Sequence, residues 1–343
     1  MKIALVYNER PSGYDRSDPR LEKHIEGDEW KTIESVGKAI EENGHTVSYF
    51  KVDEDIYERL RSAKPNLDLV FNLAEGISAG ADREAQLPMI CEILGIPHTG
   101  PAPLSAALIL NKARAKEIWK ATGVKTADSQ LFISPTTPLK KSLYYPLIVK
   151  PSNEGSGIGI KSNSIVKNEQ ELRAAVKLII QDYRQPALVE TYLSGREFTV
   201  ALIGNGEDVK TLPIVEINFA GLPEGAPAID SYEAKFVYGA TGVVDMHATE
   251  FCPAVVTPKL GKSINDLAIR AYQSIGCLDF GRVDIRLDDK GTPFVLEINH
   301  PPGLMSDPFE SSFFVIAGRA AGLTFPVLIG QILDSASTRL GFK

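Results

Sequence analysis

Residues 281–299 read as an antiparallel hairpin with an unusual polar face. Gly281-Arg-Val-Asp-Ile-Arg-Leu287 alternates strictly, so Arg282, Asp284 and Arg286 share one face and Val283, Ile285 and Leu287 the other. Asp288-Asp-Lys-Gly291 is a turn signal. Phe294–Asn299 alternates again, with Val295, Glu297 and Asn299 on one face and Leu296 and Ile298 on the other. A hairpin centred on Lys290–Gly291 pairs 284 with 297 and 282 with 299. Like charges directly opposed on a sheet are destabilising, so this register makes sense with a cation between Asp284 and Glu297. Oxygen-only ligands suit magnesium, which also bridges nucleotide phosphates. The alternative is a solvated polar face. It is weakened by Pro301-Pro302-Gly303 just beyond Asn299, a rigid turn able to bring backbone N–H groups to a reacting centre.

The rest of the chain supplies a frame for that hairpin. Its 343 residues suggest two or three domains. In the first hundred, strands at Ile3–Tyr7, Thr46–Phe50 and Leu67–Asn72 alternate with helices at Glu29–Asn43 and Gln86–Leu94, which implies a parallel sheet covered by helices. A helical stretch, Pro103–Thr122, leads to strands Gln130–Ile133 and Leu147–Lys150. Then come a helix at Glu169–Asp182, capped by Asn168 with Glu171 three residues on, and strands Leu188–Glu190 and Phe198–Ile203. The long stretch from Ile217 to Glu250 has little periodicity, as functional lids often do. Helices Thr257–Ile275 and Phe313–Ala321, the latter read as the last, flank the hairpin.

Net charge is −7 and the isoelectric point is near 5.4, so no broad nucleic-acid footprint is expected. Met1–Tyr7 is too short for a signal segment and reads as a buried strand. No apolar run is long enough to span a membrane. Cys91, Cys252 and Cys277 are odd in number and scattered, which points to reduced core thiols in a cytoplasmic protein rather than disulfides or zinc.

A glycine loop follows one apolar strand: Lys150-Pro-Ser-Asn-Glu-Gly155-Ser156-Gly157-Ile-Gly159. It lacks the Gly-Lys-Ser/Thr ending of a P-loop and is not GxGxxG. Ile160 and Lys161 suggest a second strand, hence a flap. Glycines let backbone N–H groups approach phosphate oxygens, Ser156 adds a hydroxyl at the tip, and Lys150 sits where an ammonium could meet phosphates. An ordinary glycine-rich hairpin fits this segment equally well.

Taken together, these segments resemble the D-alanine–D-alanine ligase family of ATP-grasp enzymes, from about Phe71 to Ile316. Matching pieces are Gly95-Ile-Pro-His-Thr-Gly100, Asn111-Lys112, Val149–Ser156, Glu190–Val200, Tyr232-Glu-Ala-Lys235, Phe251-Cys-Pro253, Gly281–Asp284, and Glu297-Ile-Asn299 followed by Pro302-Gly303. The resemblance implies an α/β fold, α+β in its ATP-grasp part. Its divisions would be an N-terminal α/β domain (1–104), a central subdomain with the flap (105–193) and a C-terminal subdomain with the metal site and lid (194–343). It implies an ATP-dependent ligase that joins a carboxylate to an amine through an acyl phosphate, in a family tied to peptidoglycan synthesis. Lys112, Lys150 and the Glu154-Gly155-Ser156 tip would meet phosphates, Glu190 through Leu193 the adenine, and Glu197 the ribose. Lys235 would reach the phosphates as its loop closes. Asp284, Glu297 and Asn299 would hold two magnesium ions, with manganese as a substitute. Arg282, with the Gly303 backbone, would stabilise the oxyanion. Partners would be small amino-acid substrates, with no nucleic acid and no membrane. Oligomeric state is not legible; the family often forms homodimers.

Three departures concern the substrate side. After the first strand, Asn8-Glu9-Arg10-Pro11 replaces the family's glycine-rich segment. No residue there aligns with the Glu that grips the first substrate's ammonium; Glu26, Asp28 and Glu29 are candidates, with a helix-start charge as the alternative. Phe236 stands where many members carry Tyr, which resembles members that accept a hydroxy acid. In His300-Pro-Pro-Gly-Leu-Met-Ser-Asp-Pro308, Pro308 replaces a substrate-binding Ser and offers neither hydroxyl nor N–H, and Asp307 would repel a carboxylate. His300 is either a new acid, base or ligand, or a surface residue. The alternatives in function are therefore another amino acid or a hydroxy acid as acceptor, or a nucleotide-binding protein that has lost catalysis.

Overall fold

The computed structural model describes residues 1–10, 27–78, 80–237, 250–308 and 310–342, without the side chains of Phe236, Val237 and Glu250. The expected parallel sheet forms from β1 (Lys2–Tyr7), β2 (Thr46–Lys51) and β3 (Leu69–Asn72) in the order β2-β1-β3. Helices α1 (Trp30–Glu42), α2 (Ile56–Ala63) and α3 (Gln86–Leu94) accompany it. In α1 the buried Ile33, Val36 and Ile40 recur at helical spacing, so one face of the helix enters the core.

The helical stretch expected over 103–122 is two helices, α4 (Pro103–Leu110) and α5 (Lys112–Ala121). Asn111 breaks it: its side chain accepts from the Arg114 N–H at 3.1 Å and caps α5. The break sets Lys112 at the start of α5, where its backbone N–H donates to the Ser152 carbonyl at 3.0 Å beside the glycine loop.

A second, antiparallel sheet holds β4 (Ser129–Phe132), β5 (Leu147–Pro151), β6 (Ile165–Val166) and β7 (Ala187–Thr191) in the order β4-β7-β5-β6. α6 (Glu169–Asp182) covers it, with Asn168 accepting from the Glu171 N–H at 3.0 Å as its spacing implied. The strand expected at Ile160–Lys161 is corrected: the return strand is β6, further on. Residues 155–160 coil instead, through Ile158 N–H to the Gly155 carbonyl and Ile160 N–H to the Gly157 carbonyl.

The third sheet runs β11-β10-β8-β12-β13, with β9 (Lys210–Thr211) also on β8. Its members are β8 (Glu197–Ile203), β10 (Val215–Ile217), β11 (Glu250–Phe251), β12 (Phe280–Leu287) and β13 (Pro293–Asn299), and α7 (Pro258–Ser274) packs on it. The hairpin register is as derived: Arg282 opposes Asn299 and Asp284 opposes Glu297. Beyond that pair a bulge shifts the register, so Ile285 opposes Val295. The alternation expected through Val295 is therefore corrected. Val295 is fully buried in the core with Val283, Ile285 and Ile298, and Leu296 faces the cavity beside Glu297.

Two helices close the chain, α8 (Phe313–Ala320) and α9 (Phe325–Leu340). The second was not anticipated. Leu328, Ile329, Ile332 and Leu333 of α9 join Ile33, Val36 and Ile40 of α1, Phe71 of β3 and Phe280 of β12 in one core. The fit is close: a Cβ at Gly330 would lie 2.4 Å from Asn43 Oδ1. Among the described residues no single helix is long and apolar enough to cross a membrane.

Candidate active site

Three cations, Lys150, Lys235 and Arg286, and their carboxylate partners line a cavity between the second and third sheets. Lys150 leaves the end of β5 and meets Glu190 of β7 at 2.6 Å; Lys116 of α5 meets the same carboxylate at 2.8 Å. All three are buried. Burial pushes the Glu190 carboxyl up, but the two ammoniums outweigh it and hold it at about 2. Lys116 moves the other way from Lys150. Burial, with Lys150 as a like-charged neighbour, brings it down to about 8, whereas Lys150 is raised because Glu190 and Glu297 outweigh its burial. One carboxylate shared by two ammoniums accounts for the difference: the pair short of negative charge yields at Lys116.

Glu197 starts β8 and pairs with Arg286 of β12 at 2.7 Å. Burial still raises its carboxyl to about 7. Arg286 also donates to the Tyr192 hydroxyl at 3.3 Å and to the Ala228 carbonyl. Lys235, in a helical turn at Glu233–Val237, pairs with Asp230 at 2.8 Å. The Tyr232 N–H donates to the Ile160 carbonyl at 2.9 Å and ties this loop to the glycine loop. Leu193 and Leu296 supply apolar wall.

Glu297 is the wall shared with a second cavity, lined also by Lys112, the Glu154-Gly155-Ser156 tip, Asn299 and His300. Lys112 lies 3.1 Å from Glu297 and donates to the Glu154 carbonyl. Burial raises the Glu297 carboxyl, but Lys112, Lys150 and Lys235 bring it to about 2. Asp284 accepts from Thr199 Oγ1 at 2.6 Å, from Arg282 at 3.0 and 3.1 Å, and from Asn299 Nδ2 at 2.8 Å. The opposed carboxylates of the hairpin are thus compensated by different cations, Arg282 for one and Lys112 for the other. Glu154 is held by Arg83 at 3.2 Å and Gln185 at 2.6 Å. Ser156 takes a left-handed conformation, φ 52°, at the loop tip. The Gly303 carbonyl accepts from Ser312 Oγ at 2.5 Å.

This arrangement can be set beside known proteins. The family model described as the D-ala D-ala ligase C-terminus matches residues 118–334. The chain belongs to the D-alanine–D-alanine ligase family. It is 32% identical to a D-alanine–D-alanine ligase of Pelotomaculum thermopropionicum, over 91% of this chain and 93% of that one. It is 33% identical to the uncharacterized protein y4sG of Sinorhizobium fredii, over 99% and 98%. Among solved structures, the D-alanine–D-alanine ligase of Bacillus anthracis complexed with ATP superposes with a TM-score of 0.71 at 20% identity, over 99% and 98% of the two chains. The VanG D-Ala:D-Ser ligase of Enterococcus faecalis gives 0.69 at 21%, over 98% and 99%. The chain has the ATP-grasp fold and is an ATP-dependent carboxylate–amine ligase of this family.

The substrate side departs from that family's pattern where the sequence did. Of the three candidates for gripping an ammonium, Glu26 lies outside the described residues. Asp28 pairs through its backbone with Asn8 and Arg10, and Glu29 precedes α1 and lies 3.7 Å from Arg10 and 3.4 Å from Lys31. Glu29 thus sits as the helix-start charge that was its alternative. The Phe236 side chain lies outside the description. His300 is corrected: it is no surface residue. It is buried edge-on to Phe280 at 4.8 Å, and its ring fills the space a Cβ at Gly100 would need. Burial pushes its imidazole down to about 3, so it stays neutral. Cys252 is also only half-buried, unlike Cys91 and Cys277.

Several contributors escaped the sequence reading. Lys116, Thr199 and Arg83 carried no local signal, since each reaches its partner across a long chain separation, and Asp230 lies close before its partner Lys235 in the stretch without periodicity. Arg286 did have one, sharing the face of Asp284 by alternation.

Proposed function

We propose that the protein activates an amino-acid carboxylate with ATP and passes the acyl group to a second amino acid. The relatives' names favour D-alanine as the first substrate and a D-amino acid as the second. The observation that carries this reading is the ring of cations, Lys112, Lys150, Lys235 and Arg282, around the carboxylates Asp284 and Glu297 where two cavities meet.

In this reading Lys150, Lys112 and the 154–156 backbone bind phosphates, Lys235 joins them, residues 190–193 with Leu296 enclose the adenine, and Glu197 holds the ribose. The donor set of Asp284, Glu297 and Asn299 is all oxygen on adjacent strands, which fits magnesium. When bound there the metal offsets charge on the transferring phosphoryl group. A substrate carboxylate oxygen attacks the terminal phosphorus, and the bond to ADP breaks. The amine then attacks the acyl phosphate, loses a proton, and phosphate leaves. Arg282, stacked over Phe313 at 5.1 Å, offsets the oxyanion between these steps. The nucleotide cavity as it stands is about 70 Å³, room for a few waters, so nucleotide entry parts the walls. A cytoplasmic place suits an ATP-consuming enzyme with three free thiols.

The test is phosphate release with ATP and magnesium across a panel of D- and L-amino acids and D-lactate, with products weighed by mass spectrometry. Release that depends on D-alanine supports the reading, and no stimulation by any amino or hydroxy acid sinks it. Lys150→Ala is expected to lower turnover by at least about a hundredfold, as losing a charge-stabilising donor does elsewhere; retained ligation would remove Lys150 from the phosphate role.

A further inference from the structure

On the outer face, where α7 approaches the segment after α5, a cleft of about 340 Å³ is lined by Lys125, Lys259, Lys262 and Arg270, with Asp266 as its one carboxylate. Asp266 is taken: it pairs with Lys262 at 2.6 Å. Arg270 donates to the carbonyls of Gly123 at 2.7 Å and Thr122 at 3.4 Å, which orient the guanidinium without neutralising it. Among the described residues no carboxylate pairs with Lys125, Lys259 or Arg270. Three uncompensated cations in one concavity invert the charge of a chain whose net is −7. Their gathering in a hollow, rather than along a face, suits a compact anion better than a nucleic-acid strand.

The floor of this cleft is wired to the nucleotide cavity. The Lys125 carbonyl accepts from the Val295 N–H at 2.9 Å, on the strand that carries Glu297. Thr126 Oγ1 donates to the Val295 carbonyl at 2.8 Å and accepts from Lys116 Nζ at 2.7 Å. Lys116 meets Glu190 at 2.8 Å, and Glu190 meets Lys150 at 2.6 Å. A shift of residues 123–126 therefore bears on both Glu190 and β13.

We propose that the cleft binds a small anion with two or more phosphate groups, and that its occupancy changes nucleotide affinity through the 123–126 segment. The coupling rests on the nucleotide-site reading above; the cleft itself does not.

The experiment titrates the full chain calorimetrically with fructose 1,6-bisphosphate as probe, the nucleotide site first filled with magnesium ADP. One equivalent is expected to bind wild type. Lys125→Glu/Lys259→Glu is expected to weaken that binding about tenfold or more, by placing like charge against the anion. Lys125→Arg/Lys259→Arg should restore it, and should the Glu pair fail to fold, the two single Ala variants replace it. ADP affinity should differ at least about twofold with and without the probe in wild type, and not in the Glu variant, because linkage is reciprocal. No binding, or equal binding in wild type and variant, overturns the site. Binding that leaves ADP affinity unchanged overturns the coupling. ADP titrated alone checks the nucleotide reading separately, so the two failures are told apart.

Discussion

At the scale of single residues, Glu190 is the position where most is at stake. It neutralises two buried ammoniums at once. Glu190→Gln leaves the two facing each other with only Glu297 acting on Lys150, and breaking a buried pair in this way costs about 3–5 kcal/mol. Lys116→Met leaves a one-to-one pair with Lys150 and should cost less than half as much. Urea unfolding of the two variants tests the order, and a costlier Lys116→Met would refute it. The same carboxyl sets a pH dependence. Its folded value, about 2, lies below its usual 4.5. Its stabilisation is therefore complete above pH 4.5 and is lost as pH falls toward 2. Unfolding curves between those limits should show a shallower acid loss in Glu190→Gln than in wild type. None of this was legible in the sequence, which marked Glu190 for its place in a motif. The partners lie on α5 and β5, and only the packing of those elements reveals the triad.

At the scale of elements, the β12–β13 hairpin shows how far alternation reaches. The turn residues and the two alternating runs set the register at Asp284 and Glu297, because a one-residue slip would drive the apolar set out of the core. The bulge that follows has no residue-type signature here, so Val295 and Leu296 were assigned to the wrong faces. Leu296 is the unpaired residue of the bulge and faces the cavity, so Leu296→Ala should keep the fold and raise the KM for ATP several-fold. A truncated side chain with unchanged KM would take Leu296 out of the binding surface. Helix α9 was overlooked despite signals: Pro326 in its first turn, apolar residues at helical spacing, and Gly341 in the left-handed conformation at its end. What the sequence withheld was its destination on α1. Ile332→Ala removes buried volume from that contact and should cost about 2–5 kcal/mol in chemical denaturation.

At the scale of the whole molecule, Asp279 gathers distant parts of the chain. Its buried carboxylate accepts from the Gly100 N–H at 2.8 Å, from Asn205 Nδ2 at 2.9 Å, and from Arg339 at 2.9 and 2.6 Å. Those partners belong to the loop between α3 and α4, the turn after β8 and the last turn of α9. Asp279→Ala strands Arg339 and two N–H donors, and a loss of about 3–5 kcal/mol is expected in thermal or chemical unfolding; a change below about 1 kcal/mol would show that apolar packing alone holds these parts together. The charges of the active site carry a different consequence. Lys150, Lys112, Lys235 and Arg282 each already hold a carboxylate. The site resembles an ion exchanger supplied in its counter-ion form. A stray anion gains little there, because it must evict an internal one and leave that charge stranded. A ligand that brings positive and negative charge together can satisfy both sets at once, so such a site favours the paired ligand over its anion alone.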